Sequence, residues 1–164
     1  VIVTKLHGPH QLPLLGQSMC LLTQAYNRRL DKPYDIIAFT TMPIADNHTN
    51  LVNIRKLVAP ANLTIVTDNA GTLQKQVASL TEIQRKKFLS RCHVPNADNM
   101  TWWAICDEDR VGKGRIAYNW QAEFRTLHIW HHPALKDYRY MLWLDTDGFS
   151  TQVWDRDPVA IAMQ

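Results

Sequence analysis

The sequence has little cysteine, no long apolar stretch and no marked excess of charge of one sign. Three cysteines in 164 residues are too few for a disulfide scaffold, although one pair leaves room for a single bridge. No apolar run approaches the ~18 residues that a membrane-spanning helix needs. Lys and Arg number 18 against 15 Asp and Glu, and this small, unclustered excess predicts no nucleic-acid partner.

The composition is that of a folded globular chain, with 46% hydrophobic and 20% charged residues. The chain opens inside an apolar run, Val1-Ile2-Val3, and stops at Gln164 without a terminating pattern. We therefore expect residues 1–164 to be part of a longer protein. Three Asn-X-Ser/Thr sequons begin at Asn47, Asn62 and Asn99, a mild excess that is compatible either with a secretory-pathway lumen or with coincidence.

Apolar patterning predicts alternating strands and helices. Buried strands are expected at residues 1–6 and 34–40, and further strands at 63–67 and 138–144. Between them, helices are expected at 14–29, around 51–58 before Pro60, from Thr81 onward, and from after Gly114 to about His131. Residues 92–114 are irregular in pattern and suggest a long surface excursion. This alternation predicts one α/β domain with a mostly parallel sheet.

The chemistry of an open parallel sheet lies outside the carboxyl ends of its strands. Asp-X-Asp occurs three times, beginning at Asp107, Asp145 and Asp155. Of these, Asp145-Thr146-Asp147 alone follows a predicted seven-residue strand and precedes a glycine. Two carboxylates at that position suit Mn²⁺ or Mg²⁺, which prefer oxygen ligands and bind through one or two carboxylates plus phosphates. The alternative is a solvated turn.

Other polar patterns favour structural roles. Residues 111–115 contain glycines and a lysine without phosphate-loop spacing, which favours a flexible basic loop. His128, His131 and His132 suggest either a zinc site or, more simply, side chains interacting with a helix C-terminus. Trp120 is expected in the core, on a helix face with Ile116, Phe124 (or Glu123), Leu127 and Trp130.

The last third of the chain resembles the fungal α-1,2-mannosyltransferases, glycosyltransferase family 15. The resemblance lies in His131-His132-Pro133-Ala134-Leu135, Tyr138-Arg139-Tyr140 and Asp145-Thr146-Asp147. It implies a GT-A fold that transfers mannose from GDP-mannose, with retention and with Mn²⁺, to a glycan or glycoprotein. It also implies a Golgi-lumenal, type II membrane-anchored parent protein.

The resemblance also implies roles for particular residues. Asp147 would bind the metal, and Asp145 the metal or the donor ribose. Thr4, Lys5 and His7 would border the nucleotide, and Tyr118 the donor sugar. The acceptor site and any catalytic carboxylate are expected beyond Gln164. The chain departs from the family where Asp-Thr-Asp stands for Glu-Pro-Asp, and where Trp143, His7 and Glu123 stand for arginines.

Two other hypotheses compete with a glycosyltransferase. Residues 144–148 resemble the first motif of haloacid-dehalogenase phosphatases, with Asp145 as nucleophile and Asp147 as general acid/base. Phe149 stands where that motif has Thr or Val, and about 140 residues precede a motif that usually opens its domain. The third hypothesis is a catalytically inactive sugar-binding or scaffold module.

Overall fold

The computed structural model describes residues 1–68, 79–84 and 116–163, and of residues 116–119 the backbone alone. The chain divides into two compact units. The first is Val1–Thr67 together with Lys136–Gln164, and the second is Asp68–Leu135. The candidate acidic turn lies in the first unit.

A four-stranded parallel sheet forms the centre of the first unit, in the order β3-β2-β1-β4. Its strands are β1 (Ile2–Leu6), β2 (Ile36–Thr40), β3 (Leu63–Thr67) and β4 (Leu142–Trp143). Every residue of β1 and β2 is buried, as their continuous apolar pattern predicted. The α/β class with a parallel sheet is therefore confirmed.

Two helices connect the first three strands. These are α1 (Leu12–Ala25) and α2 (Thr49–Val58). Strands β1, β2 and β3 follow one another across the sheet in sequence order. Because parallel crossovers are right-handed, both connecting helices lie on the same face of the sheet, where α1 and α2 pack together. Leu15, Met19 and Leu22 are buried on α1, which confirms the predicted apolar face.

The ends of the helices follow from local chemistry. His48 Nδ1 accepts a hydrogen bond from the Asn50 amide at 3.3 Å and caps α2, which ends just before the cis Ala59–Pro60 bond. Thr81 begins a helical turn over residues 82–84: its hydroxyl accepts from the Gln84 amide, and its own amide donates to Gln84 Oε1. The predicted end of a helix before Pro60 and the predicted helix start at Thr81 are both confirmed.

The second unit contains α3 (Ile116–Glu123), followed by a π-helical turn, Phe124–His128, and 3₁₀ turns at Ile129–His131 and Pro133–Leu135. The predicted apolar face holds at Trp120 and Phe124, which are buried. It is wrong at Leu127 and Trp130, which are 60% and 64% exposed. The π turn adds a residue to the repeat, so the next buried position is Ile129, five residues after Phe124.

The strand predicted at residues 138–144 is also shorter than expected. Only Leu142–Trp143 pairs, beside Ile2 and Val3 at the edge of the sheet. Tyr138 and Tyr140 are exposed, because they precede the paired residues and lie outside the sheet. The chain then ends in a short helix, α4 (Pro158–Ala162). Among the described helices, none is both long and apolar enough to span a bilayer.

We expect Leu15→Ala to lower the free energy of unfolding by about 2–5 kcal/mol, because it removes a fully buried side chain between α1 and the sheet. Urea unfolding followed by circular dichroism measures this change. Leu127→Ala is the matched control, since this leucine is 60% exposed. Equal losses in the two variants would contradict the packing described.

Candidate functional site

The acidic motif forms a tight turn shortly after β4. The Gly148 amide donates to the Asp145 carbonyl oxygen at 2.8 Å and closes the turn. A Cβ on Gly148 would lie 3.0 Å from that same oxygen, a close approach that favours glycine at this position. Asp145 and Asp147 are exposed, while Thr146 between them is only 7% exposed. The turn therefore presents two carboxylates to solvent and buries the residue between them.

The Thr146 side chain attaches the turn to β1. Its hydroxyl donates to the Lys5 carbonyl oxygen. Because a hydroxyl has one hydrogen, the Thr4 hydroxyl must be the donor in the 3.2 Å contact between Thr4 Oγ1 and Thr146 Oγ1. Both threonines are buried, so the two hydrogen bonds form out of contact with water. Thr4 thus positions the acidic turn.

Lys5 and His7 lie where β1 ends beside β2. The Lys5 ammonium is buried and donates to Thr41 Oγ1 at 2.7 Å. The His7 amide donates to Gln11 Oε1 at 2.6 Å, and its carbonyl oxygen accepts from the Met42 amide at 2.7 Å. The carboxyl ends of β1 and β2 and the turn after β4 are therefore neighbours. That Thr4, Lys5 and His7 border a nucleotide stays a prediction.

The acidic pair offers an oxygen donor set of the type that Mg²⁺ and Mn²⁺ accept. Asp145 Oδ1 accepts from the Trp143 indole at 2.9 Å, which orients this carboxylate. Within residues 1–68, 79–84 and 116–163, no group of three or more His, Cys, Asp or Glu side chains converges on one point. Two carboxylates fit a cation that completes its coordination with waters and phosphate oxygens. The metal assignment of Asp145 and Asp147 stays a prediction.

The segment after the turn folds back along α1. Ser18 Oγ donates to the Gly148 carbonyl oxygen at 2.8 Å. Further along, the Trp154 amide donates to the Ala25 carbonyl oxygen, and the Trp154 ring stacks on Tyr26 with 4.8 Å between ring centroids. One face of α1 thus holds the acidic turn and the residues that follow it.

Asp157 fastens the end of this segment. Its carboxylate accepts from the Tyr26 hydroxyl at 2.6 Å and the Tyr34 hydroxyl at 2.7 Å, and it caps α4 through the amides of Val159 and Ala160. Burial alone would raise the pKa of Asp157, but the hydrogen bonds from the two tyrosines and the two amides outweigh burial and lower it. The Asp155–Asp157 match is therefore structural, and the Asp-Pro pair at residues 157–158 was the helix-start signal that sequence reasoning missed.

The remaining predicted site residues belong to the second unit. Tyr118 lies in α3, outside the described side chains, and Asp107 lies outside the described residues. His128 contacts Glu123 at 3.1 Å, and His132 Nδ1 accepts from the Ala134 amide, which favours local structural roles over a zinc site. Sequence reasoning also missed Asp68, a fully buried carboxylate after β3 that accepts from the Trp120 indole at 3.0 Å.

No family model matches the chain, and no curated protein matches it. Among solved structures, the chain is similar to core-mannan synthase A from Aspergillus fumigatus in its Mn/GDP form. The TM-score is 0.47 and the sequence identity 13%, over 89% of this chain and 34% of that chain. The chain thus spans about a third of the length of that protein. Nothing in the described residues favours the phosphatase hypothesis.

We expect Thr146→Val to lower the free energy of unfolding by about 1–3 kcal/mol, because the isosteric change leaves the buried Thr4 hydroxyl and Lys5 carbonyl without their partner. Urea unfolding measures the loss. Thr151→Val is the control, since Thr151 is exposed. In a double-mutant cycle, Thr4→Val should cost less in the Thr146→Val background than alone. Additive losses would contradict the described bond between the two hydroxyls.

We expect the stability difference between wild type and Asp157→Asn to be largest near neutral pH and to vanish on acidification. The lowered pKa of Asp157 means that its contribution is present above the ordinary aspartate pKa and is lost as pH falls through the folded-state value. Urea unfolding from pH 7 down to about pH 2 measures this slope. Asp155→Asn, at an exposed position, should show a flat difference. A difference in the free energy of unfolding between wild type and Asp157→Asn that stays constant with pH would refute the role given to the charge of Asp157.

Proposed function

We propose that this chain is the donor-binding part of a nucleotide-sugar glycosyltransferase of the GT-A type. The observation that carries the proposal is the Asp145–Asp147 turn, with two exposed carboxylates held at the carboxyl edge of a parallel sheet by a buried threonine. The edge of the sheet where strands end is where ligands of open α/β folds bind. Asp-X-Asp at that edge, after a strand, supports this class of enzyme over an inactive scaffold.

The residues of this chain would hold and orient the donor diphosphate. Asp147 is exposed and would coordinate a divalent cation directly. Asp145, whose Oδ1 accepts from the Trp143 indole, would bind the metal or the donor ribose. A bound Mn²⁺ or Mg²⁺ would offset the charge of the diphosphate leaving group. The buried Lys5 ammonium adds positive charge near the nucleotide side of the edge. His7 is the other proposed donor contact of the first unit, whereas the buried Thr4 would act indirectly, by positioning the turn through Thr146.

The finer assignment is a retaining transfer of mannose from GDP-mannose to a glycan or glycoprotein acceptor. Its support is the resemblance of residues 131–147 to family 15. On the same basis we propose that the parent protein is membrane-anchored and works in the Golgi lumen. Two of the three sequon asparagines, Asn47 and Asn62, are exposed, as lumenal glycosylation requires.

We expect GDP to bind with Mn²⁺ present and to bind at least about tenfold more weakly without it, because two carboxylates repel a diphosphate unless a cation lies between them. Isothermal titration calorimetry of GDP and UDP, with and without Mn²⁺, measures this dependence. Asp147→Asn should remove the metal-dependent part of the affinity, and GDP should bind more tightly than UDP.

Asp155→Asn is the matched control, since it alters another exposed Asp-X-Asp match and should leave binding unchanged. Tight metal-independent binding, or Asp147→Asn binding as well as wild type, would overturn the metal assignment. Stronger binding of UDP would overturn the mannose donor while leaving the glycosyltransferase class in place.

A further inference from the structure

An open cleft of about 270 Å³ lies directly beyond the acidic turn. Its apolar walls come from α1, from the residue after β4 and from two aromatic rings, namely Leu22, Leu144, Phe149 and Trp154. Gly148, the last residue of the acidic turn, also lines it. The cleft therefore shares a residue with the proposed donor site and lies entirely within the first unit.

The polar side of the cleft is built from a short loop. Ser150, Thr151 and Gln152 line it, and these three side chains make no hydrogen bond with any part of the chain that the structure describes. The Ser18 hydroxyl, by contrast, is already donated to Gly148. Two hydroxyls and one amide thus offer both donors and acceptors to a ligand.

The charge of the walls selects the class of ligand. All nine lining residues are uncharged, so the cleft has no group to neutralise a phosphate, a carboxylate or an amine. Phe149 is 40% exposed, and Trp154 is held in place by its stacking on Tyr26. Aromatic surface beside hydroxyl and amide groups suits a neutral ligand with apolar C–H faces and many hydroxyls.

We propose that this cleft binds one neutral hexose unit of the acceptor glycan. The proposal rests on the proposed glycosyltransferase function, and it brings part of the acceptor site, which the sequence led us to expect beyond Gln164, into this chain. The position fits that role, since an acceptor hydroxyl must approach the sugar of a donor whose diphosphate is held at Asp145 and Asp147. Gln152 supplies the hydrogen bonds and Phe149 the apolar contact.

The test is a titration of the full 164-residue chain with methyl α-D-mannopyranoside in the presence of Mg²⁺ and GDP, followed by NMR of the Trp154 indole signal. We expect a saturable shift, and a Kd that rises about three- to tenfold in Gln152→Ala, which removes one or two hydrogen bonds. Phe149→Ala should weaken binding similarly. Both side chains are exposed, so neither change should unfold the protein.

Gln17→Ala is the matched control, an exposed glutamine on α1 outside the cleft, and should leave the Kd unchanged. An unchanged Kd in Gln152→Ala, or an equal shift with glycerol, would overturn the hexose site. GDP binding measured in the same samples separates the two proposals. Absence of sugar binding with GDP binding intact overturns the hexose site alone, whereas loss of both overturns the donor site on which it rests.

Discussion

The acidic turn depends on the buried hydroxyl of Thr146. Strand β4 pairs over two residues only, and a pairing that short does not fix a loop by itself. Thr146 supplies what the strand lacks, because its hydroxyl bridges the Lys5 carbonyl and the Thr4 hydroxyl in a region closed to water. A hydrogen bond buried in this way is costly to leave unmade, so the turn has one favoured position. Because Thr146 is buried, the carboxylates of Asp145 and Asp147 on either side of it face solvent.

Cationic, anionic and uncharged groups occupy different places along the carboxyl edge of the sheet. The buried cation, Lys5, lies at the end of β1 and is bound to Thr41, while the anionic groups lie on the exposed turn after β4. Beyond the turn the walls of the cleft carry no charge. In the proposed arrangement the donor diphosphate lies at the acidic turn and a neutral sugar of the acceptor lies in the cleft. Under the proposed function, this distribution would let a chain with a formal charge of only +3 hold a diphosphate through a bound cation rather than through a basic patch.

The periodicity of apolar residues predicted the helices and strands whose formation depends on apolar contacts between neighbouring turns or strands. The buried face of α1 and strands β1 to β3 were predictable from Leu15, Met19 and the apolar run at 36–40. Apolar side chains on one face of an element become buried against whichever element packs there. Periodicity did not predict that Tyr138 and Tyr140 face solvent, since this depends on β4 beginning only at Leu142 and leaving both tyrosines outside the sheet. The π turn at Phe124–His128 likewise has no signal in hydrophobicity. In the site, the position of Asp145–Asp147 was predictable, but its support by Thr146 joins residues about 140 positions apart.

One stripe of α1 supports both proposed sites. Ser18, Leu22, Ala25 and Tyr26 recur at helical spacing, and each contacts the segment that follows the turn or lines the cleft beside it. Asp157 holds the far end of the segment by accepting hydrogen bonds from two tyrosines. The segment is therefore attached at its start, its middle and its end. A displacement of the segment along α1 would therefore move the carboxylates and the cleft together. The distance between the proposed donor site and the proposed acceptor site is thus set by one helix, and the cost of changing it includes the hydrogen bonds of Asp157.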